Sequence, residues 1–234
     1  MTTTTVVCMK WGDKYPAYYV NRLFRGVERF MKRKFRFVCF TEKPDGIISE
    51  VETRPLPVEP FEDSLRRLAM GTEMRAGALR KIGLFRPGIL GSNEPALGLD
   101  IDVVITGPLD ELLDYAPGKL CMRKDWLAQQ RFMNFGNGSV FRFDPARHGY
   151  VYQEFAADPE GSARRAKGSE QRYTSWTSMA HGDFEYFPRD WVASFKSDAL
   201  PFPPLNYVLP PRIPDRSEEH TSELQSLAYL VCRL

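Results

Sequence analysis

Apolar positions near the start of the chain follow two different periods. Residues Thr5–Met9 and Phe35–Thr41 are nearly continuous apolar runs rich in β-branched and aromatic residues, which is typical of strands buried on both faces. Between these runs, apolar side chains recur every three or four residues across Ala17–Lys32, so an amphipathic helix is predicted. Pro16 directly precedes it and suits a helix start. The strand–helix–strand order predicts a parallel sheet covered by helices.

The rest of the body continues this alternation of strand and helix patterns. Strands are predicted at Val51–Leu56, Leu97–Ile105, Leu120–Arg123 and Gly138–Phe143, and helices at Asp63–Leu84, Leu109–Leu113, Pro145–Asp158 and Glu170–Met179. The chain has no internal repeat and no low-complexity region. We therefore predict a single α/β domain with a mixed, mostly parallel sheet flanked by helices.

Composition narrows the classes of function. The 234 residues carry a formal net charge of only +2, which gives no reason to expect a nucleic-acid partner or a membrane surface. No apolar run reaches the roughly 20 residues that span a bilayer, and no transmembrane segment is expected. The four cysteines are scattered without a metal-binding spacing, so buried reduced thiols in a cytoplasmic protein are predicted. His148 and His181 lie in loop-like contexts and are predicted to be surface residues.

Asp100 and Asp102 are the most informative residues, because they interrupt the apolar run Leu97–Ile105. Burying an unpaired carboxylate is costly, and residues two apart on a strand point the same way. At a strand end the pair could bind Mg²⁺ or Mn²⁺. Alternatively, one carboxylate caps the following helix or pairs with an arginine. A third interpretation makes Asp100 the nucleophile of a haloacid-dehalogenase-type phosphatase, with Asp102 as its acid/base. That motif usually opens its domain, and here other strands precede it.

Several segments in order resemble bacterial GT-A-type glycosyltransferases, the group that includes glycogenin-like and lipopolysaccharide sugar transferases. The resemblance covers about residues 4–200. It is carried by Val6–Gly12, Phe37–Thr41, the Asp-x-Asp motif within Leu99–Gly107, Asn137–Phe141, Gly168–Gln171 and Trp191–Lys196. It implies a GT-A fold and the transfer of a sugar from a nucleotide-sugar donor, with a UDP-hexose expected. The acceptor would be a saccharide, a lipid or a protein.

The resemblance also implies roles for individual residues. Asp100 and Asp102 would hold Mn²⁺ or Mg²⁺ against the donor diphosphate. The expected donor-binding residues are Lys10, Trp11, Gly12, Lys81, Asp100, Asn137 and Ser139, and the expected catalytic residues are Glu170 and Gln171. Structural roles remain open: a surface loop for Trp11, a solvated helix face for Lys81 and turn chemistry for Asn137. An inactive nucleotide-binding module is a further alternative for the whole chain.

This sequence departs from the family pattern near its proposed catalytic residues. Arg172 stands where the family often has an aspartate, so a catalytic carboxylate there is not carried over. Glu170 is a candidate general base or sugar-orienting group, although an acid in the first turn of a helix also has a structural reason to be there. Asp125 and Trp126 form a second candidate pair on the acceptor side.

The last residues differ in character from the body. The run Arg216–Ser226 resembles one reading frame of a common sequencing adapter, so residues 1–215 are predicted to form the domain and residues 216–234 an unpacked tail. His220 then has no functional role. The family continues beyond the position of Asp215 to a histidine that is the third protein ligand of the metal. We therefore expect weak metal binding and little activity for this polypeptide.

Overall fold

The computed structural model describes residues 3–70, 77, 79–125, 133–194, 198, 201, 208–209 and 229–231. Its strands are β1 (Thr4–Lys10), β2 (Phe35–Thr41), β3 (Glu52–Arg54), β4 (Ala96–Leu99), β5 (Val103–Ile105), β6 (Leu120–Lys124), β7 (Gly136–Phe143), β8 (Phe184–Tyr186), β9 (Ala193–Ser194) and β10 (Tyr229–Val231). Its α-helices are α1 (Tyr18–Phe30), α2 (Glu62–Met70), α3 (Asp110–Asp114), α4 (Tyr150–Ala157), α5 (Pro159–Arg165) and α6 (Glu170–Ala180), and a 3₁₀ helix spans Arg80–Phe85.

A seven-stranded sheet organises the fold, in the order β3-β2-β1-β4-β7-β6-β8. Strand β7 runs antiparallel to its neighbours β4 and β6, and the other pairs of this sheet are parallel. The mixed, mostly parallel sheet and the single domain predicted from the sequence are thus confirmed. The carboxyl ends of β1, β4 and β6 meet the amino end of β7 along one edge of the sheet, where open α/β sheets bind ligands.

Alternate residues of the central strands pack into two cores on opposite faces of the sheet. Val6 and Cys8 of β1 pack with α1 and α3, which form the front layer and enclose the front core. Val7 and Met9 pack with the 3₁₀ helix, α4 and α5, which form the rear layer. This is the arrangement expected when parallel strands are covered by helices on both faces. Cys8, Cys39 and Cys121 are free and buried. In the part of the chain that the structure describes, no helix is long and apolar enough to span a bilayer.

Three predicted elements differ from the observed ones. The run Leu97–Ile105 forms two strands, β4 and β5, which belong to different sheets and are separated by a turn. The helix predicted at Asp63–Leu84 is observed as α2 and the 3₁₀ helix, and residues 71–76 and 78 lie outside the described ranges. The predicted helix at Pro145–Asp158 begins only at Tyr150, because the preceding residues form turns.

A small second sheet has the order β5-β10-β9. Strand β10 pairs antiparallel with β5 and parallel with β9. It lies within residues 216–234, after the run Arg216–Ser226 that carries the predicted resemblance to a sequencing adapter. The domain boundary at residue 215 stays a prediction.

Candidate functional site

The Asp100–Asp102 turn lies at the carboxyl end of β4. The Asp100 amide donates to the Ser139 carbonyl of β7 at 2.8 Å, and the Val103 amide donates to the Asp100 carbonyl at 3.1 Å. The first bond fastens the turn to the neighbouring strand, and the second closes it. The two aspartates therefore flank Ile101 on a turn and do not share one face of a continuous strand. The prediction of one uninterrupted strand was wrong, because β4 stops at Leu99.

Lys81 lies between two of the predicted acidic residues. Its Nζ is 2.6 Å from Asp100 Oδ1 and 3.9 Å from Glu170 Oε2, and it donates to the Gly138 carbonyl at 2.9 Å. The lysine side chain is 13% exposed and the Glu170 side chain 7% exposed, so water screens these charges weakly. The structure thus places Lys81, Asp100 and Glu170 together, although they are far apart in sequence.

Local structure accounts for the position of Glu170. Ser169 is the N-cap of α6, and its side chain accepts a hydrogen bond from the Arg172 amide at 3.4 Å. Glu170 therefore occupies the first helical turn, where the helix dipole favours a carboxylate. Gly138 of β7 lies directly against it, because a Cβ atom built on Gly138 would be 3.0 Å from Glu170 Oε2. The absence of a side chain on Gly138 is what allows this close approach.

Asp125 connects the two predicted amide side chains of the site. Asn137 Nδ2 and Gln171 Nε2 both donate to Asp125 Oδ2, at 3.2 and 3.0 Å. Their amide oxygens accept in turn from the backbone of β7, Gln171 Oε1 from the Gly138 amide at 3.2 Å and Asn137 Oδ1 from the Ser139 amide at 3.0 Å. Asp125 is only 2% exposed. The orientation of both amides is therefore fixed by one buried carboxylate.

Ser139 takes part through its backbone, since its carbonyl holds the Asp100 turn. Its Oγ is buried and has no hydrogen-bond partner within the described ranges. Trp126 and His220, together with Phe195 and Lys196 of the last motif, lie outside those ranges.

The predicted donor-binding turn follows β1 at the same edge of the sheet. Lys10, the last residue of β1, is 4% exposed. Trp11 is partly buried and packs against the hydrophobic core that contains Ile82 and Leu84 of the 3₁₀ helix. Gly12 has a positive φ of 66°, which favours glycine, and its amide donates to Glu42 Oε1 at 2.6 Å. The structure gives Lys81, Asp100 and Glu170 a shared contact network, and it places Trp11 and Gly12 in the turn after β1 at the same edge of the sheet.

Tyr15 is a site residue that the sequence did not indicate. Its hydroxyl donates to Asp102 Oδ2 at 3.1 Å, and Lys14 Nζ lies 4.6 Å from the centre of its ring. Tyr15 precedes α1 and reaches the aspartate turn from the front layer of helices. A tyrosine in a polar turn gives no sequence signal for such a long-range contact.

The two histidines have different environments. His181 is exposed, as predicted, and its Nε2 is 2.5 Å from Glu154 Oε1. His148 is fully buried, so its prediction as a surface residue was wrong. Its Nδ1 accepts from the Asp144 amide at 2.8 Å, and burial lowers the pKa of the imidazole to about 4. This contact closes the turn before α4, which shows that the loop-like sequence context concealed a structural residue.

The donor chemistry of the turn is suited to a hard divalent cation. Asp100 and Asp102 offer carboxylate oxygens, and Mg²⁺ sites commonly combine one or two carboxylates with phosphate oxygens and water. No group of three or more His, Cys, Asp and Glu side chains suited to a metal occurs in the part of the chain described. Two carboxylates supply fewer ligands than such a cation takes, so water or a bound anion would have to supply the others.

Comparison with solved structures identifies similar folds at low sequence identity. The galactosyltransferase LgtC, solved with donor and acceptor sugar analogues, matches with a TM-score of 0.59 and 15% identity over 97% of this chain and 86% of LgtC. Mouse xyloside xylosyltransferase 1, in its apo form, matches with a TM-score of 0.55 and 11% identity over 82% of this chain and 88% of its own. No protein-family model matches the sequence, and no curated protein matches it significantly. The chain therefore has a GT-A-like glycosyltransferase fold.

Proposed function

We propose that the protein is a metal-dependent glycosyltransferase that moves a sugar, with a UDP-hexose as the expected donor, to a saccharide, lipid or protein acceptor. The observation that carries the proposal is the position of Lys81, between Asp100 and Glu170 at the ligand-binding edge of a GT-A-like sheet. Lys81 offers a positive charge to a substrate that is itself a dense anion, and a divalent cation held by the carboxylates would offset their repulsion of that anion.

The donor diphosphate would bind at the Asp100–Asp102 turn. Asp100 and Asp102 would hold Mn²⁺ or Mg²⁺, which supplies Lewis-acid stabilisation of the leaving diphosphate when bound. The Lys81 ammonium group would contact both the Asp100 carboxylate and a phosphate oxygen of the donor. Lys10, a buried cation at the end of β1, is a second candidate for phosphate binding.

The sugar would lie beside Glu170 and the two amides. Glu170 is a candidate general base or sugar-orienting group, because its buried carboxylate is held close to Lys81. Asn137 and Gln171 are held in fixed orientations by Asp125, so that they lose little conformational freedom when they bind hydroxyl groups. The chain's own contribution is therefore mainly the positioning of charged and polar groups around the transferred sugar.

Calorimetry with UDP tests the donor part of the proposal. We expect UDP binding that strengthens when Mn²⁺ is added and that weakens at least about ten-fold in Asp100→Asn, since a charge-assisted contact contributes about 1.5–3 kcal/mol. Asp63→Asn is the matched control, because Asp63 is 79% exposed on α2. An absence of UDP binding at millimolar concentrations would contradict the proposal.

Two further outcomes separate the alternatives. Micromolar Mn²⁺-dependent UDP binding would contradict the expectation that the adapter-like tail leaves the metal site incomplete. Turnover of p-nitrophenyl phosphate that disappears in Asp100→Asn would instead favour the phosphatase interpretation of the same motif. Release of free sugar from a panel of UDP-sugars, measured by chromatography, then identifies the donor.

A further inference from the structure

One face of α1 and its flanking residues carries a row of exposed side chains that are basic at all but one position. The spacings along this row are four, four, three, four and three residues. Its four members within α1 therefore share one face of the helix, and the first and last members lie in the non-helical segments that flank it. We call the following residues the basic row: Lys14, Tyr18, Arg22, Arg25, Arg29 and Lys32. The opposite face of α1, with Val20, Leu23 and Val27, is buried in the front core.

The charges of the basic row are only partly neutralised by the protein itself. Arg25 forms ion pairs with Glu28 at 2.9 Å and Glu50 at 2.8 Å. No ion pair involves Arg22, Arg29 or Lys32 among the residues that the structure describes. The row therefore presents a net positive charge to the solvent over the length of a 13-residue helix, about 20 Å.

We propose that the basic row docks the protein on the anionic surface of a lipid bilayer. A flat charged surface can contact cations that lie along one line on a convex helix face, and each basic residue near such a surface contributes attraction. Aromatic side chains accompany the cations: Tyr18 is 52% exposed, and the Arg29 guanidinium lies 5.2 Å from the centre of the Phe30 ring. Amphipathic rings such as tyrosine favour the headgroup region.

The geometry connects this surface to the candidate site. Tyr15 follows the first residue of the row, and its hydroxyl reaches Asp102 at 3.1 Å. Only the Lys14 end of the row lies at the ligand-binding edge, because α1 runs back along the sheet to the start of β2. Docking would thus bring that edge to the lipid headgroups at one end of the contact. The docking itself does not depend on catalysis, but the lipid acceptor that it favours rests on the proposed function.

Vesicle cosedimentation tests the docking. The full chain is mixed with phosphatidylcholine vesicles that contain or lack phosphatidylglycerol. We expect binding only to the anionic vesicles, weakened by added salt. The triple variant Arg22→Gln, Arg29→Gln and Lys32→Gln should bind about a hundred-fold more weakly, since each basic residue near the surface contributes about five-fold.

A charge-matched control separates the row from net charge. The variant Arg66→Gln, Arg164→Gln and Arg165→Gln removes three exposed arginines from α2 and α5, which cover the opposite face of the sheet. It should bind vesicles like the unmodified protein. Equal losses in the two variants, or no binding of the unmodified protein to anionic vesicles, would overturn the proposal. Circular dichroism and thermal midpoints confirm that both variants fold.

Two further measurements distinguish membrane docking from nucleic-acid binding and from the proposed transferase function. If a duplex DNA fragment displaces the protein from anionic vesicles at equal phosphate concentration, the partner is nucleic acid and the proposal is wrong. The Asp100→Asn variant should lose UDP binding and keep vesicle binding. The transferase proposal and the docking proposal therefore fail independently of each other.

Discussion

His148 makes the folded protein less stable in mildly acidic solution. The imidazole is fully buried, and its Nδ1 accepts a hydrogen bond from the Asp144 amide at 2.8 Å. Nδ1 also lies 3.2 Å from the Asp144 carbonyl, and Nε2 is buried with no hydrogen-bond partner among the described residues. Protonation therefore charges a buried group and leaves a buried Nε2 proton without an acceptor. Burial is the largest cause of the lowered pKa, about 4, and it outweighs the Asp144 and Asp183 carboxylates and the Asp144 backbone bond, which favour the charged form.

The size of the effect follows from linkage. An unfolded histidine titrates near pH 6.5, so between about pH 6.5 and 4 the unfolded state binds more protons than the folded state. Stability is then complete above pH 6.5 and falls as the pH falls. The loss is about 2 kcal/mol at pH 5 and approaches about 3 kcal/mol below pH 4.

Urea unfolding monitored by tryptophan fluorescence measures this loss at a series of pH values from 8 to 5. Carboxylates also contribute to acid sensitivity, so the comparison is with His148→Gln, whose side-chain oxygen can accept the same hydrogen bond without titrating. The unmodified protein should lose about 2 kcal/mol more than the variant over this range. Equal losses in the two proteins would refute the argument.

Two other predictions concern the site. Asp125→Ala should destabilise the fold by about 2 kcal/mol and lower donor turnover, because the Asn137 and Gln171 amides lose their shared acceptor. Asp125→Asn should retain part of the stability and part of the turnover, and unchanged turnover in Asp125→Ala would contradict the positioning role. Gly138→Ala should cost about 1–3 kcal/mol and weaken donor binding, since the new Cβ would press on Glu170 at 3.0 Å; calorimetry and unfolding that match the unmodified protein would disprove the close contact.

Local sequence patterns determined the elements that could be predicted. The apolar runs of β1 and β2 and the helical period of α1 identify these elements because burial on one or both faces sets the pattern. Helix α5 was missed although its signals are present: Asp158 caps it by accepting from the Gly161 amide at 3.0 Å, and proline occupies its first position.

The site was predictable only in part, because its geometry depends on pairings between distant segments. The Asp-x-Asp motif and the resemblance placed the candidate site at the carboxyl ends of the strands, and Asp100 follows the end of β4 in the structure. The break after Leu99, however, is a local turn that the Val103 amide closes on the Asp100 carbonyl, and the nearly continuous apolar pattern concealed it. Likewise, Asp125 and the buried His148 acquire their environments from tertiary packing, which a single sequence does not reveal.

The two aspartates of the turn are contacted from opposite sides of the sheet. Asp100 is paired with Lys81, which belongs to the rear layer, and Asp102 accepts from Tyr15, which belongs to the front layer. A ligand that draws on both carboxylates would therefore compete with contacts from both layers at once. A mutation in either hydrophobic core should therefore change the affinity for the same ligand, so the turn couples the two halves of the fold thermodynamically.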